Sequence, residues 1–262
     1  MTEANAPRGP FAGWVEPPAE GLRVMSPAEI AQALQSHRLY VETGRREGHR
    51  ADFGSVDLSG LNFSGLNLRR TKMDRAVLRD ADFTGAHLQR ANLIGAILKN
   101  ARFDGANLSA GRLSGANGES ASFRNAILHQ ADMEFVLMVK AVLADAQLRG
   151  ADMSGAILDG AVLTGADLSA VNLRGASFRQ ARLDGADLRG ARLGGAFLAE
   201  ASLRDTDLRG AYVRLATFDG ADLSGADLRD TEGLTAAQLE RVSGTTGVKL
   251  PTDLAGGPHG PG

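Results

Sequence analysis

Large apolar side chains recur at every fifth position from Phe53 to Leu228, and the register never slips. Of these thirty-six centres, thirty-five are Leu, Phe, Met or Val, and only Gly118 departs from the rule. Two residues before nearly every centre stands a small residue, Ala in twenty-eight cases, so the chain reads Ala-x-Leu-x-x from Ala51 to Asp230. A helix turning about 100° per residue would scatter such leucines around its whole circumference. A straight strand would throw successive centres onto opposite faces, because five is odd. The centres share one side only if the chain bends once per repeat, winding a coil around its own side chains.

A second period sets the size of that coil. Phe63, Phe83, Phe103 and Phe123 are twenty residues apart, Met133 and Met153 likewise, and Asp-Leu-Arg recurs at 187, 207 and 227. Four repeats per coil then give about nine coils, and at ~4.8 Å each a rod about 43 Å long. Its axis is expected to be filled by the centres, among them Phe53, Phe63, Phe83, Phe103, Phe123, Leu143, Leu163, Leu188 and Leu228. Each coil touches only its neighbours, so stability is collective and both ends need a lid.

Segments such as Ala166-Asp167-Leu168-Ser169 and Ala221-Asp222-Leu223-Ser224-Gly225-Ala226-Asp227-Leu228 resemble the pattern of the pentapeptide-repeat family. The resemblance implies an all-β fold, a right-handed quadrilateral β-helix with the centre and the Ala inside and three positions outside. It also brings one activity known in the family: binding DNA gyrase by presenting a negative, duplex-like rod.

The flanks complete the domain plan. Ser26-Pro27-Ala28-Glu29 has the form of a capping box with Pro at the first helical position, followed by Ile30, Leu34 and Val41. Gly44 is expected to end that helix. Thr235-Ala236-Ala237-Gln238 opens a second, short helix carrying Leu239 and Val242, with Gly244 as its stop. The boundaries are therefore a disordered leader at 1–25 and an N-terminal lid at 26–50, then the repeats at 51–230. A C-terminal lid and tail follow at 231–254, with a disordered end at 255–262. Phe11 and Trp14 are unusual in such a leader.

Composition narrows the chemistry. There is no cysteine, the formal net charge is −2, and no window approaches a membrane-spanning length of apolar residues. No secretion signal opens the chain, so the cytoplasm is the expected location. The five histidines are scattered without metal-ligand spacing, and no glycine-rich loop ends in Lys-Ser or Lys-Thr. His87 and His129 share a wall two coils apart, roughly 10 Å by strand spacing, too far for one metal. No catalytic residue, metal site or cofactor is assigned, and an enzyme is not expected.

Function then falls to the outer walls. The residue before each centre on the wall of Leu58 runs Asp57, Val77, Ile97, Asn117, Leu137, Ile157, Ser177, Phe197, Thr217. Five of these nine are large and apolar; Val142 and Val162 continue the theme on the next wall, with Phe135 and Val139 near the same level. Such a stripe reads either as a contact surface for an unknown protein partner or as β-branched residues suited to a flat wall. A homodimer is compatible with the first reading. On the fourth wall Asp167, Asp187, Asp207 and Asp227 run beside Arg149, Arg189, Arg209 and Arg229, a ladder expected to be solubilising.

Protein–protein interaction or scaffolding is the leading expectation, and topoisomerase binding by DNA mimicry is the alternative. Residues 51–230 hold twenty-two acidic and twenty-one basic side chains, which lacks the polyanionic field of DNA. Direct nucleic-acid binding is not expected either. At Gly118 the sequence leaves two options, a gap filled by Met138 or an outward bulge forming a pocket.

Overall fold

The structure is a computed structural model and describes residues 21–255. Phe11, Trp14 and the end of the tail at 256–262 lie outside these residues. From Asp52 onward each residue before a centre forms a parallel bridge with the residue twenty further on, Asp52 with Lys72, Asn62 with Asp82, and so on to Tyr212 with Glu232. One layer is therefore four repeats. Two hydrogen bonds recur at each bridge: Lys72 N donates to the Ala51 carbonyl at 3.1 Å and Phe53 N to the Lys72 carbonyl at 2.7 Å.

The bend between walls is a tight turn. The carbonyl of each centre accepts from the N–H three residues on, as Phe83 does from Ala86 at 2.9 Å. The last residue of each repeat has φ between 52° and 73°, the left-handed region a turn of this kind requires. Glycine takes that place without steric cost, at Gly155 and Gly225 for example. Asp or Asn before the centre locks the turn from outside: Asp52 Oδ1 accepts from Gly54 N at 3.0 Å and Asn62 Oδ1 from Ser64 N at 2.8 Å.

Four walls result, headed by Phe53, Leu58, Phe63 and Leu68. The centres named above, from Phe53 to Leu228, are all buried. On the third wall Phe63, Phe83, Phe103 and Phe123 stack with centroids 4.9, 4.8 and 4.7 Å apart and nearly parallel planes. Gly118 keeps the ladder on both sides, bridged through Asn117 to Ile97 and Leu137, with Gly118 N donating to Leu137 O at 2.7 Å. There is no bulge there. Met138 Cγ and Cε lie 3.6 and 3.7 Å from where a β-carbon of Gly118 would stand, so the thioether occupies the gap.

At the N-terminal end, α1 (Pro27–Glu42) begins at a complete capping box, with Ser26 Oγ accepting from Glu29 N and Glu29 Oε2 accepting from Ser26 N at 2.7 Å. Met25, Ile30, Ala33 and Leu34 pack on the core. His37 is buried against the first layer, where its Nδ1 accepts from Ala51 N at 3.2 Å. Residues 21–25, expected to belong to the disordered leader, instead pair: Arg23 bridges Val56, with its N–H on Ser55 O at 2.7 Å. Three hydrogen bonds to Asp52 and Gly54 from its guanidinium hold it there. Leu61 and Leu66 take the corner place that Ala fills in most repeats, and both remain partly exposed at this end.

At the other end the chain makes an incomplete further layer. Glu232, Gly244 and Lys249 bridge Tyr212, Asp222 and Asp227, so the offset grows from twenty to twenty-two. Between them α2 (Ala236–Leu239) replaces the strand of the second wall. Gln238 Nε2 supplies the donor missing at Ala216 O, at 2.9 Å, and also bonds Val213 O at 2.9 Å, which already accepts from Ala216 N. Gly244 is thus a ladder residue and not a helix stop, and Val242 lies beyond the helix. A single turn, α3 (Thr252–Ala255), follows.

Candidate interaction surface

The apolar row of the second wall is continuous as a ladder, but it is not uniformly open. Val77 and Ile97 are 8% and 2% exposed, which corrects the expectation that they present side chains to a partner. They sit mid-ladder with like-sized neighbours one layer away at strand spacing, which covers a branched side chain on both flanks. Leu137, Ile157, Val142 and Val162 are half-buried. Among the stripe residues Phe197 alone, at 39%, is exposed. Asn117 interrupts the row and is itself buried, its Oδ1 accepting from Glu119 N at 3.1 Å while Nδ2 finds no partner among the described residues.

The open apolar surface lies one column over, at the corner between the first and second walls. That column runs Gly115, Phe135, Gly155, Gly175, Gly195, Leu215, all with positive φ. Phe135 is 52% and Leu215 76% exposed. The Phe135 ring lies along the corner above Gly155, where a β-carbon would come within 2.6 Å of two ring atoms. Glycine is required at 155 by the close approach of the ring, and its positive φ is one it adopts without cost. Leu215 ends its repeat and so lies outside the row before the centres; an apolar residue after Gly155, Gly175 and Gly195 in one column is the signal that marks it.

Charged groups border Phe197 toward the other corner of the second wall. The Arg179 guanidinium stands 4.9 Å from the centroid of the Phe197 ring, with Nη1 donating to Ser177 Oγ at 3.0 Å. Beside it opens a shallow depression of about 360 Å³ lined by Val139, Lys140, Asp159, Arg179, Gln180 and Glu200. An apolar centre with a mixed-charge rim is the anatomy of a protein contact. It offers no activated nucleophile. Among the described residues, no group of three or more His, Asp or Glu could hold a metal ion.

The fourth wall is built differently. Arg189, Arg209 and Arg229 each fold back on the aspartate two residues earlier, at 2.6 Å to Asp187, Asp207 and Asp227. Longer contacts of 3.8 and 4.0 Å link Arg189 to Asp207 and Arg209 to Asp227 in the next layer. The hydrogen bond from Arg229 is the main cause that pulls the Asp227 carboxyl down to about 2. Hydrogen bonds from their own arginines likewise hold Asp187 and Asp207 below the usual range.

The family model for pentapeptide repeats matches in eight copies, at residues 49–85, 62–100, 101–135, 134–165, 141–180, 161–198, 181–219 and 198–232. This chain belongs to the pentapeptide-repeat family. Its fold is accordingly the family's right-handed quadrilateral β-helix. Among solved structures, this pentapeptide-repeat protein is similar to HetL of the cyanobacterium Nostoc sp. strain PCC 7120, described as involved in heterocyst differentiation regulation. The two are 28% identical over 87% of this chain and 93% of that one, with a TM-score of 0.32. A thylakoid-lumen pentapeptide-repeat protein of Arabidopsis thaliana is 34% identical over 38% of this chain and 69% of its own, TM-score 0.37. QnrB1, a plasmid-mediated fluoroquinolone resistance protein, is 21% identical over 76% and 95%, TM-score 0.39. No curated protein sequence matches.

Proposed function

We propose that this pentapeptide-repeat protein is a non-enzymatic scaffold: a nine-layer rod closed by helical lids that binds a protein partner through the corner between its first and second walls. The observation that carries the reading is the set Phe135, Phe197 and Leu215, which remain exposed on a rod whose other large apolar side chains are mostly covered. Aromatic anchors beside arginine are the side chains that dominate binding energy at protein contacts. No helix among the described residues is long and apolar enough to cross a membrane, and the proposed setting is the cytoplasm. The near balance of charge along the repeats gives DNA mimicry of the gyrase-binding kind no support.

The test is a triple variant, Phe135→Asn, Phe197→Thr and Leu215→Asn, compared with wild type in quantitative pull-down and in sedimentation. Asn is chosen at 135 and 215 because it tolerates positive φ. Loss of a specific co-purifying protein or of self-association, with an unchanged melting curve, is the expected result. The same partners and the same mass for both proteins would refute the reading, and inhibition of gyrase supercoiling by the triple variant would favour the alternative.

A further inference from the structure

The fourth wall changes character along the rod, and its N-terminal end carries a cluster of charge with no counterpart. In the layers where Arg189, Arg209 and Arg229 occur, an Asp two residues earlier neutralises each one. In the first five layers that place is taken by Asn67, His87, Asn107, Ile127 and Gln147. Over those layers the wall holds Arg69, Arg70, Arg90 and Arg149 and no carboxylate.

Three of these arginines border one surface depression with a fourth. Arg69, Arg70 and Arg90 line a half-open depression of about 250 Å³ together with Tyr40 of α1 and Arg45 just beyond that helix. None of the side chains lining it is acidic. Arg69 Nε donates to a neutral acceptor, Gln89 Oε1, at 3.0 Å, which orients the guanidinium without cancelling its charge. Glu42, on the same helix, is engaged by Arg38 at 2.7 Å. The last carbonyls of α1 each accept a hydrogen bond from the residues that follow the helix. Leu39 O accepts from Thr43 N, Tyr40 O from Arg45 N and Val41 O from Gly44 N.

Arg70 and Arg90 stand in successive layers of one corner column, which elsewhere holds glycine at 150, 190 and 210 and uncharged side chains at Ala110, Gln130 and Ala170. Two like charges one layer apart repel. A guanidinium is permanently charged and presents paired donors that match phosphate oxygens in a two-point grip.

We infer that this depression binds a small molecule bearing a phosphate or diphosphate group, held between Arg45, Arg69, Arg70 and Arg90 with the ring of Tyr40 at its side. The site is on a different wall from the proposed protein contact and stands independently of it. The depression is of a size to seat a small organic phosphate.

Isothermal titration of the full chain with inorganic pyrophosphate tests this, against succinate at matched ionic strength and at about 0.15 M salt, where surface attraction is screened. Saturable binding of pyrophosphate, with none of succinate, is expected. The variant Arg70→Gln with Arg90→Gln is expected to weaken it at least about tenfold, because each removes a charge-assisted contact. Gln already occupies this column at Gln130 with φ of 54°, so the variant retains the backbone. Arg209→Gln, at the compensated end of the wall, is expected to leave binding unchanged.

A parallel arm uses phosphatidylcholine vesicles with and without phosphatidic acid. Binding to phosphatidic acid vesicles alone, without affinity for free pyrophosphate, would overturn the small-molecule assignment. Equal binding by the double variant, or no saturation at all, would overturn the site.

Discussion

Replacing Gly118 by Ala should stabilise this protein, which is unusual for a change in the axis of a closely packed rod. The φ of Gly118 lies outside the left-handed region, so alanine adopts it without strain. A β-carbon there would meet Met138 Cγ at 3.6 Å, and Ala121 Cβ and Met138 Cε at 3.7 Å each, all ordinary contacts. Two gains follow: the unfolded chain loses freedom, about 0.4–1 kcal/mol, and one more methyl is buried, about 0.8 kcal/mol. The sum is about 1–2 kcal/mol, or about 2–8 °C in melting temperature for a domain of this size. Gly155→Ala is the matched opposite, because its φ is +65° and the added carbon would fall 2.6 Å from the Phe135 ring. Its cost should be at least about 1 kcal/mol from the backbone alone. Urea and thermal unfolding followed by far-ultraviolet circular dichroism compare the two directly. A lower midpoint for Gly118→Ala would mean that Met138 already fills the column completely, and the packing argument would fail.

Two further outcomes follow from the same contacts. Met138→Ala should cost more than Met153→Ala, toward the upper end of about 2–5 kcal/mol, because its void joins the space at Gly118; equal losses in urea midpoint would contradict this. Acid should loosen the N-terminal lid first. His37 is held below its ordinary value by burial and by nearby Arg50, so it folds neutral. The unfolded chain then binds more protons as pH drops below about 6.5, and stability present above that value is lost. His37→Phe should flatten the slope between pH 7 and 5 in thermal melts. The Asp227 carboxyl, at about 2, contributes its stability above its unfolded value near 3.8 and yields only under much stronger acid. A wild-type slope retained in His37→Phe would place the acid sensitivity elsewhere.

The period of five and the period of twenty were both legible in the chain, because each position in the repeat has one fixed role: filling the axis, turning the corner or facing outward. The capping box at Ser26 was legible for a similar reason, since it is a local exchange of two hydrogen bonds. What local reasoning missed depends on contacts made far along the chain. Arg23 looked like leader until its pairing with Val56, thirty-three positions on, gave the first layer an edge partner. Gly244 read as a helix stop because nothing near it in sequence announces Asp222. Val77 and Ile97 looked exposed because the repeat says which way a side chain points but not how much its neighbours in adjacent layers cover it. The corner holding Phe135 and Leu215 was readable in principle, as apolar residues in a column of glycines.

Four bends per layer also determine what insertions and deletions do to this surface. Loss of four repeats shortens the rod by one storey and leaves every column in line. Loss of a single repeat rotates everything beyond it by a quarter turn, so that the arginine–aspartate ladder would continue beneath a different face. Five residues are thus the unit by which such a prism reassigns its sides, with the aromatic column in its interior recording each misalignment as a broken stack.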